Sequence, residues 1–177
     1  MKNKINDVKN FKRGFTLLEL LVVVLIIGVL AAIALPQYKL AVAKSQYSTL
    51  KNVTKSLKGS VDRYFLANAV YPTKSADLDI NFSITKEWSG GSSFYIAFPG
   101  VQDCEIYYSK NNRNIICRKS IFGKIMTYTD PAYPSVQKIC VAYSKNENDI
   151  PNKVCQSETG KTASQASCHD SYCAYYF

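Results

Sequence analysis

Between Phe15 and Leu35 lie 21 residues, of which only Thr16 and Glu19 are polar. As a helix rising about 1.5 Å per residue, such a run just crosses the hydrocarbon core of a bilayer. Its Leu, Val, Ile and Ala residues show none of the alternation that a half-buried strand needs. A single carboxylate, Glu19, sits inside this apolar stretch. An ionised side chain near mid-membrane costs about 2.5 to 3.5 kcal/mol on insertion scales, so Glu19 marks a functional position.

Composition narrows what surrounds this run. The 177 residues carry a formal net charge of +9. Lys2, Lys4, Lys9, Lys12 and Arg13 all precede the apolar run, against Asp7 alone, so the remainder holds 17 basic and 12 acidic side chains. Basicity concentrated before a membrane span reads as a positive-inside signal, not as a nucleic-acid surface. All six Cys follow the span, and an even number there implies an oxidising compartment and a disulfide-stapled domain. Enzyme motifs are missing. With His169 as the single His, triads and metal sites that need several His are excluded. The segment Cys168-His169-Asp170-Ser171-Tyr172-Cys173 contains nucleophile, base and carboxylate types, but consecutive residues cannot converge on one substrate atom. No catalytic residue, metal ligand or cofactor is assigned.

The junction ahead of the run is specific. Lys12-Arg13-Gly14, then Phe15-Thr16-Leu17-Leu18-Glu19-Leu20, then apolar residues to Pro36 with Gly28 among them, resembles the prepilin signature. That is the shared N-terminus of type IV pilins and of the pseudopilins of type II secretion. The resemblance covers Lys12 to Tyr38; beyond it, only the architecture is similar. It implies that a membrane prepilin peptidase/methyltransferase cuts between Gly14 and Phe15 on the cytoplasmic side. The Phe15 amine is then methylated, and the helix stays attached as the core of a fibre. It also implies that Glu19 receives the amine of a neighbouring subunit's Phe15. Amine and carboxylate are each unfavourable alone in hydrocarbon, so a subunit docked at the right height neutralises both, and the pair fixes register more than it adds stability. Gly28 and Pro36 are weak helix positions, where similarity to pilins implies a segment that melts as the fibre stretches.

The expectation is a structural subunit of a type IV pilus, a homo-oligomeric helical filament used in adhesion, motility or DNA uptake. The implied partners are assembly ATPases and an inner-membrane platform protein, with an outer-membrane secretin as a further candidate. The precursor would be a single-pass inner-membrane protein and the assembled form extracellular. Two alternatives stay open: a pseudopilin of a type II secretion system, and a DNA-binding minor pilin whose Lys44–Lys58 face or Arg118-Lys119 contacts phosphates. A secretory signal peptide cut after Ala32-Ile33-Ala34 is the competing reading of the N-terminus. Against it stand the length of the apolar run and a carboxylate with no purpose in a discarded segment.

Along the chain, the sequence divides into a leader (1–14), a filament-core helix (15–36), an amphipathic continuation (37–70) and a disulfide-rich β head (71–177). Pro36 removes a backbone donor and is expected to kink the helix. Leu50, Val53, Leu57, Val61 and Tyr64 recur at helical spacing, and Lys44, Lys51, Lys55 and Lys58 read as a solvated opposite face. The helix fades at Asn68 to Val70, before Tyr71-Pro72. Thr73 to Trp88 reads as a loop with short extended pieces, and Trp88-Ser89-Gly90-Gly91-Ser92 as a turn. Strands are expected at Phe94–Phe98, Cys104–Tyr108, Asn114–Arg118, Lys124–Thr129 and Val136–Tyr143. Ser144 to Phe177 reads as a loop-dominated end. The fold class is α+β, with the outer half of a long helix packed on a small antiparallel sheet.

Six Cys allow 15 pairings. Local geometry favours Cys104–Cys117 across a hairpin with loop Ser109 to Asn112, Cys140–Cys155 closing a surface loop, and Cys168–Cys173 clamping the C-terminal turn. Cys155–Cys173 with Cys140–Cys168 remains the alternative. The processing expectation is directly testable: intact-mass and N-terminal analysis of the membrane form should find a chain that begins at methylated Phe15. A chain beginning at Leu35 would overturn the reading.

Overall fold

The computed structural model describes residues 14–80, 83–90, 93–108, 113–131 and 137–177. The leader to Arg13, the hairpin loop at Ser109–Asn112, the turn residues Gly91-Ser92 and the strand start at Val136 lie outside the described residues. The chain falls into a first compact unit ending at Tyr38 and a second, Lys39–Phe177. One helix, α1 (Leu17–Asn68), runs through that boundary with Pro36 inside it. Proline has no N–H to donate to the carbonyl four residues back, so the Ala32 carbonyl lacks its helical donor.

In the second unit, α1 buries Ala43, Tyr47, Leu50, Thr54, Leu57 and Val61. Their alternating spacings of four and three put them on one stripe of a helix. Val53 is only partly buried against the core. The sequence stripe is thus the right face with its axis slightly misplaced, because the small Ala43, Thr54 and Ser60 complete it. After Asn68, Ala69 takes a left-handed backbone (φ 56°) and donates to the Phe65 carbonyl at 2.8 Å, closing the helix.

The stripe covers an eight-stranded antiparallel sheet with strands β1 (Lys86–Gly90), β2 (Ser93–Phe98), β3 (Val101–Tyr108), β4 (Arg113–Ile121), β5 (Lys124–Pro131), β6 (Ile139–Ala142), β7 (Ser167–Cys168) and β8 (Cys173–Tyr176). Their order is β1-β2-β3-β4-β5-β6-β8-β7. The first six follow as a meander. A second helix, α2 (Ile150–Thr159), lies in the connection from β6 to β7. Alternation along the strands turns Phe94, Ile96, Cys104, Ile106, Cys117, Met126, Tyr128, Cys140 and Tyr175 into one core with α1 and α2. The Tyr47 ring meets Tyr128 edge-on at 6.1 Å.

Two sequence expectations need correction. Trp88 to Gly90 is strand, not turn: Trp88 pairs with Tyr95 and Gly90 with Ser93. The tail from Ser144 is not loop-dominated. Pro151 stands at the start of α2, and Gly160 caps its end at φ 72°, donating to the Gln156 carbonyl at 2.9 Å. Asn152, expected on a surface excursion, is fully buried. Its amide donates to the carbonyls of Ser144 (2.9 Å) and Asn146 (2.8 Å), and its oxygen accepts from the Tyr175 hydroxyl at 3.0 Å. A polar residue reads as surface in sequence; here three hydrogen bonds make its burial affordable.

The Tyr47 hydroxyl is fully buried and has no hydrogen-bond partner among the described residues. Burial raises its pKa, so it stays protonated. An unsatisfied buried hydroxyl costs on the order of 1 to 3 kcal/mol. Tyr47→Phe is therefore expected to keep or raise stability, by about 1 kcal/mol, in thermal unfolding of the full chain in detergent. A clear loss of stability would mean that the hydroxyl is satisfied, for instance by a buried water.

Candidate functional site

The candidate site is the start of α1. Gly14, Phe15 and Thr16 precede the first helical residue, Leu17. The first turns of a helix leave backbone N–H groups without partners. Here Thr16 and Glu19 supply them reciprocally. The Thr16 hydroxyl accepts from the Glu19 N–H at 3.1 Å, and the Glu19 carboxylate accepts from both the Thr16 N–H and the Thr16 hydroxyl at 2.8 Å. This is a capping box, which also places a negative charge at the positive end of the helix dipole. Glu19 is thus partnered within its own chain. The sequence contains the signal, Thr-x-x-Glu ahead of an apolar run, but the interest of a carboxylate in a membrane segment hid its ordinary capping role.

Phe15 is exposed, and a Cβ added at Gly14 or Gly28 would meet nothing within 4 Å among the described residues. Neither glycine is demanded by packing within the single chain. Gly28 and Pro36 both lie inside the helical span. Every large apolar side chain from Leu17 to Leu35 is exposed, between 44% and 88%. The stretch has a mean hydropathy of 3.0 over 18 residues, long and apolar enough to cross a membrane.

The six cysteines form three bridges. Cys104 and Cys117 are directly opposed on β3 and β4, with Cα atoms 4.0 Å apart. Cys140 of β6 joins Cys155 of α2 at 5.6 Å. Cys168 and Cys173 close the β7–β8 pair at 4.0 Å. The alternative that joins Cys155 to Cys173 is not the pairing of this structure. Cys140–Cys155 spans 15 residues, for which the loop-closure model gives about 3 kcal/mol.

The lysine row is not simply solvated. Lys51 pairs with Glu158 of α2, and Lys58 reaches Asp130 at 3.1 Å and the Pro131 carbonyl at 2.8 Å. Both are about three-quarters buried, so half of the row docks α1 onto its own head. Nor are Arg118 and Lys119 free for phosphates. Arg118 donates to Asp103 (2.6 Å) and Glu105 (2.7 Å), and Lys119 to the Gly100 carbonyl. Periodicity places a charge on a helix side, but tertiary neighbours decide whether that side faces water.

Comparison with known proteins agrees with this geometry. The family model of the prokaryotic N-terminal methylation motif matches residues 9–35. Fimbrial protein EcpC of Eikenella corrodens is 41% identical over 80 residues, 45% of this chain and 52% of the relative. A type IV major fimbrial protein FimA of Dichelobacter nodosus is 45% identical over 58 residues, 33% of this chain and 37% of the relative. Type IV major pilin protein PilE of Neisseria gonorrhoeae is 30% identical over 113 residues, 64% of each chain. The chain thus spans about a third to two thirds of the lengths of these relatives. No solved structure matches it. The capped start of the apolar helix lies within the stretch that matches the methylation motif. The chain is similar, over these shares of its length, to type IV major pilins and fimbrial proteins.

The capping box has a measurable consequence. Thr16→Val removes the hydroxyl that both donates to and accepts from Glu19, and loss of an N-cap costs about 1 kcal/mol. Hydrogen exchange of the chain in micelles should show faster exchange confined to the amides of the first turn. Unchanged exchange there would show that the box contributes nothing to helix initiation.

Proposed function

We propose that this chain is a structural subunit of a type IV pilus, with a structural and not a catalytic role. The observation that carries the proposal is the bare apolar surface of α1 from Leu17 to Leu35. At about 25 cal/mol per Å² that surface strongly favours a non-aqueous setting. A bilayer supplies it for the precursor; a bundle of identical helices supplies it for the fibre. Head-to-tail contacts that do not close on themselves extend such a bundle into a filament. The named relatives are fimbrial proteins and major pilins, which favours a pilus over a secretion pseudopilus. The internal engagement of Lys51, Lys58, Arg118 and Lys119 weighs against the DNA-binding alternative.

In this reading the leader to Gly14 is removed by a prepilin peptidase and the Phe15 amine is methylated. The chain waits as a single-pass inner-membrane protein, then leaves for an extracellular filament. Assembly ATPases, a platform protein and a secretin would act on it there. Glu19 has two roles in sequence. Its capping box keeps the carboxylate satisfied in the lone chain, and in the filament the carboxylate pairs with the Phe15 amine of a neighbour. Gly28, with open space where a side chain would sit, admits close approach of a neighbouring helix, as small residues do between membrane helices. Gly28 and Pro36 bracket the segment expected to melt when the fibre is stretched.

The test is assembly. Glu19→Leu should still enter the membrane, because a costly charge is gone. It should yield little or no sheared filament, since the neighbour's amine finds no partner and register is lost. Normal filament yield from this variant, with no second subunit present, would remove the pairing role.

A further inference from the structure

Among the described residues, two that are not glycine hold a left-handed backbone: Ala69 and Phe122, the latter at φ 50°. Ala69 closes α1. Phe122 stands in the β4–β5 turn, where Ile121 pairs with Lys124 and Gly123 follows at φ 77°. Positive φ at both central residues is the type I′ hairpin turn, whose favoured pairs are Asn-Gly and Asp-Gly. A bulky residue in that first position is a genuine outlier. The ring gains little in return within its own chain, being 53% exposed. Beside it a shallow hollow of about 150 Å³ is lined by Ile121, Lys124, Asp149, Ile150 and Pro151. The Lys124 side chain is half exposed, 3.8 Å from Asp149.

The second feature is a groove of about 280 Å³ beside the last turns of α1. Ser60, Tyr64, Ala67 and Asn68 line it from the helix, and Asp77 and Asp79 from the segment that follows. Arg63, also on the groove, neutralises Asp79 through two hydrogen bonds of 2.5 and 2.7 Å, which leaves one negative charge, Asp77. Leu66 and Val70, adjoining in sequence, are 82% and 57% exposed.

These features lie at opposite ends of the second unit. Tyr47 meets Tyr128, and eleven residues on Lys58 meets Asp130, so α1 and β5 run in the same sense. The turn that starts β5 is therefore at the end where α1 enters the unit, and the groove is at the end where α1 stops.

We propose that Phe122 is the anchor of a head-to-tail contact between copies of this chain, seated in the groove between α1 and the 77–79 segment of the next copy. The proposal rests on the reading of the chain as a filament subunit. A contact from one end to the opposite end is heterologous and repeats without closing, which is what a filament requires. Exposed aromatics of this kind are the usual anchors of interfaces, set in pockets from which water is excluded. The charges agree: the Lys124 ammonium, half exposed and only loosely held by Asp149 at 3.8 Å, faces a groove whose Asp77 carboxylate is held by the Thr73 and Lys74 N–H groups and, among the described residues, by no cation. A lipid surface would receive an exposed Phe and a Lys, but it would give the acidic groove at the other end no role.

The test uses the full chain in cells that make filaments. F122N creates the favoured Asn-Gly turn, so thermal unfolding in detergent should be unchanged or shifted upward. Filament yield should nonetheless fall about tenfold, the scale on which an interface anchor acts. A chain carrying both F122C and A67C should give a ladder of crosslinked oligomers on non-reducing gels of sheared filaments, and neither single variant should. Wild-type-like yield from F122N with no ladder from the double variant would overturn the contact while leaving the filament reading intact. Failure of the unsubstituted chain to form filaments would instead overturn the filament reading and the contact with it. Loss by F122N of binding to phosphatidylglycerol vesicles, with filament yield unaltered, would assign the anchor to the membrane and also overturn the contact.

Discussion

The apolar surface that α1 leaves bare between Leu17 and Leu35 is the constraint on which the rest depends. No part of the described chain covers it. Burial of that surface is non-directional and would be satisfied by lipid or by other copies, at any height along the helix. Direction has to come from something else, and the polar groups at the helix start can supply it. A single carboxylate in an otherwise featureless run defines a height. The capping box makes that carboxylate tolerable in the lone chain, since two hydrogen-bond donors from Thr16 hold it.

The head meets a different demand. It holds a long helix by one stripe, Ala43 to Val61. Hydrophobic contact from Ala43 to Val61 does most of this, and three ionic or aromatic locks fix the docking. Lys51–Glu158 ties α1 to α2, and Lys58–Asp130 ties it to β5. At the far end, Phe65 stacks on Tyr71 at 4.4 Å, with the Arg113 guanidinium 4.4 Å from the Tyr71 ring. Beside it, Arg63 and then the Ser60 hydroxyl hold the Asp79 carboxyl well below the usual carboxylate range. That pair is half exposed, so solvent screening limits its contribution. The disulfides join β3 to β4, β6 to α2, and β7 to β8. In a domain of about 105 residues, such staples limit the freedom of the unfolded chain where the core is thin.

Much of this was legible in residue order. The membrane-length helix, its end near Asn68, the α+β class and five of the strands, β2 to β6, follow from run length, periodicity and turn residues, all of which are local. The Cys104–Cys117 opposition was legible for the same reason, as both lie on one hairpin. The start of α1 was only half legible. Glu19 stood out because charge in an apolar run is anomalous, but its partner Thr16 was overlooked although the spacing announces a cap. The misread parts share a cause. Trp88 to Gly90 resembles a turn until β2 pairs with it; Asn152 resembles surface until Tyr175 and two carbonyls enclose it. Lys51 and Lys58 resemble a solvated row until Glu158 and Asp130 approach from residues 107 and 72 positions away.

The sequence by itself determined what must be hidden from water and where the methylation motif lies, because apolar length and a short junction motif act locally. It determined the helix stripe and the hairpins, because 3.6-residue and two-residue periods are properties of the backbone alone. Tertiary structure decided which polar groups are buried, which lysines are held, that Ser144 to Phe177 forms a helix and a pair of strands, and that Phe122 stands exposed at one end of the head with a groove at the other. Those outcomes depend on partners far apart in the chain, and no local period encodes the neighbour that a folded surface brings to a side chain.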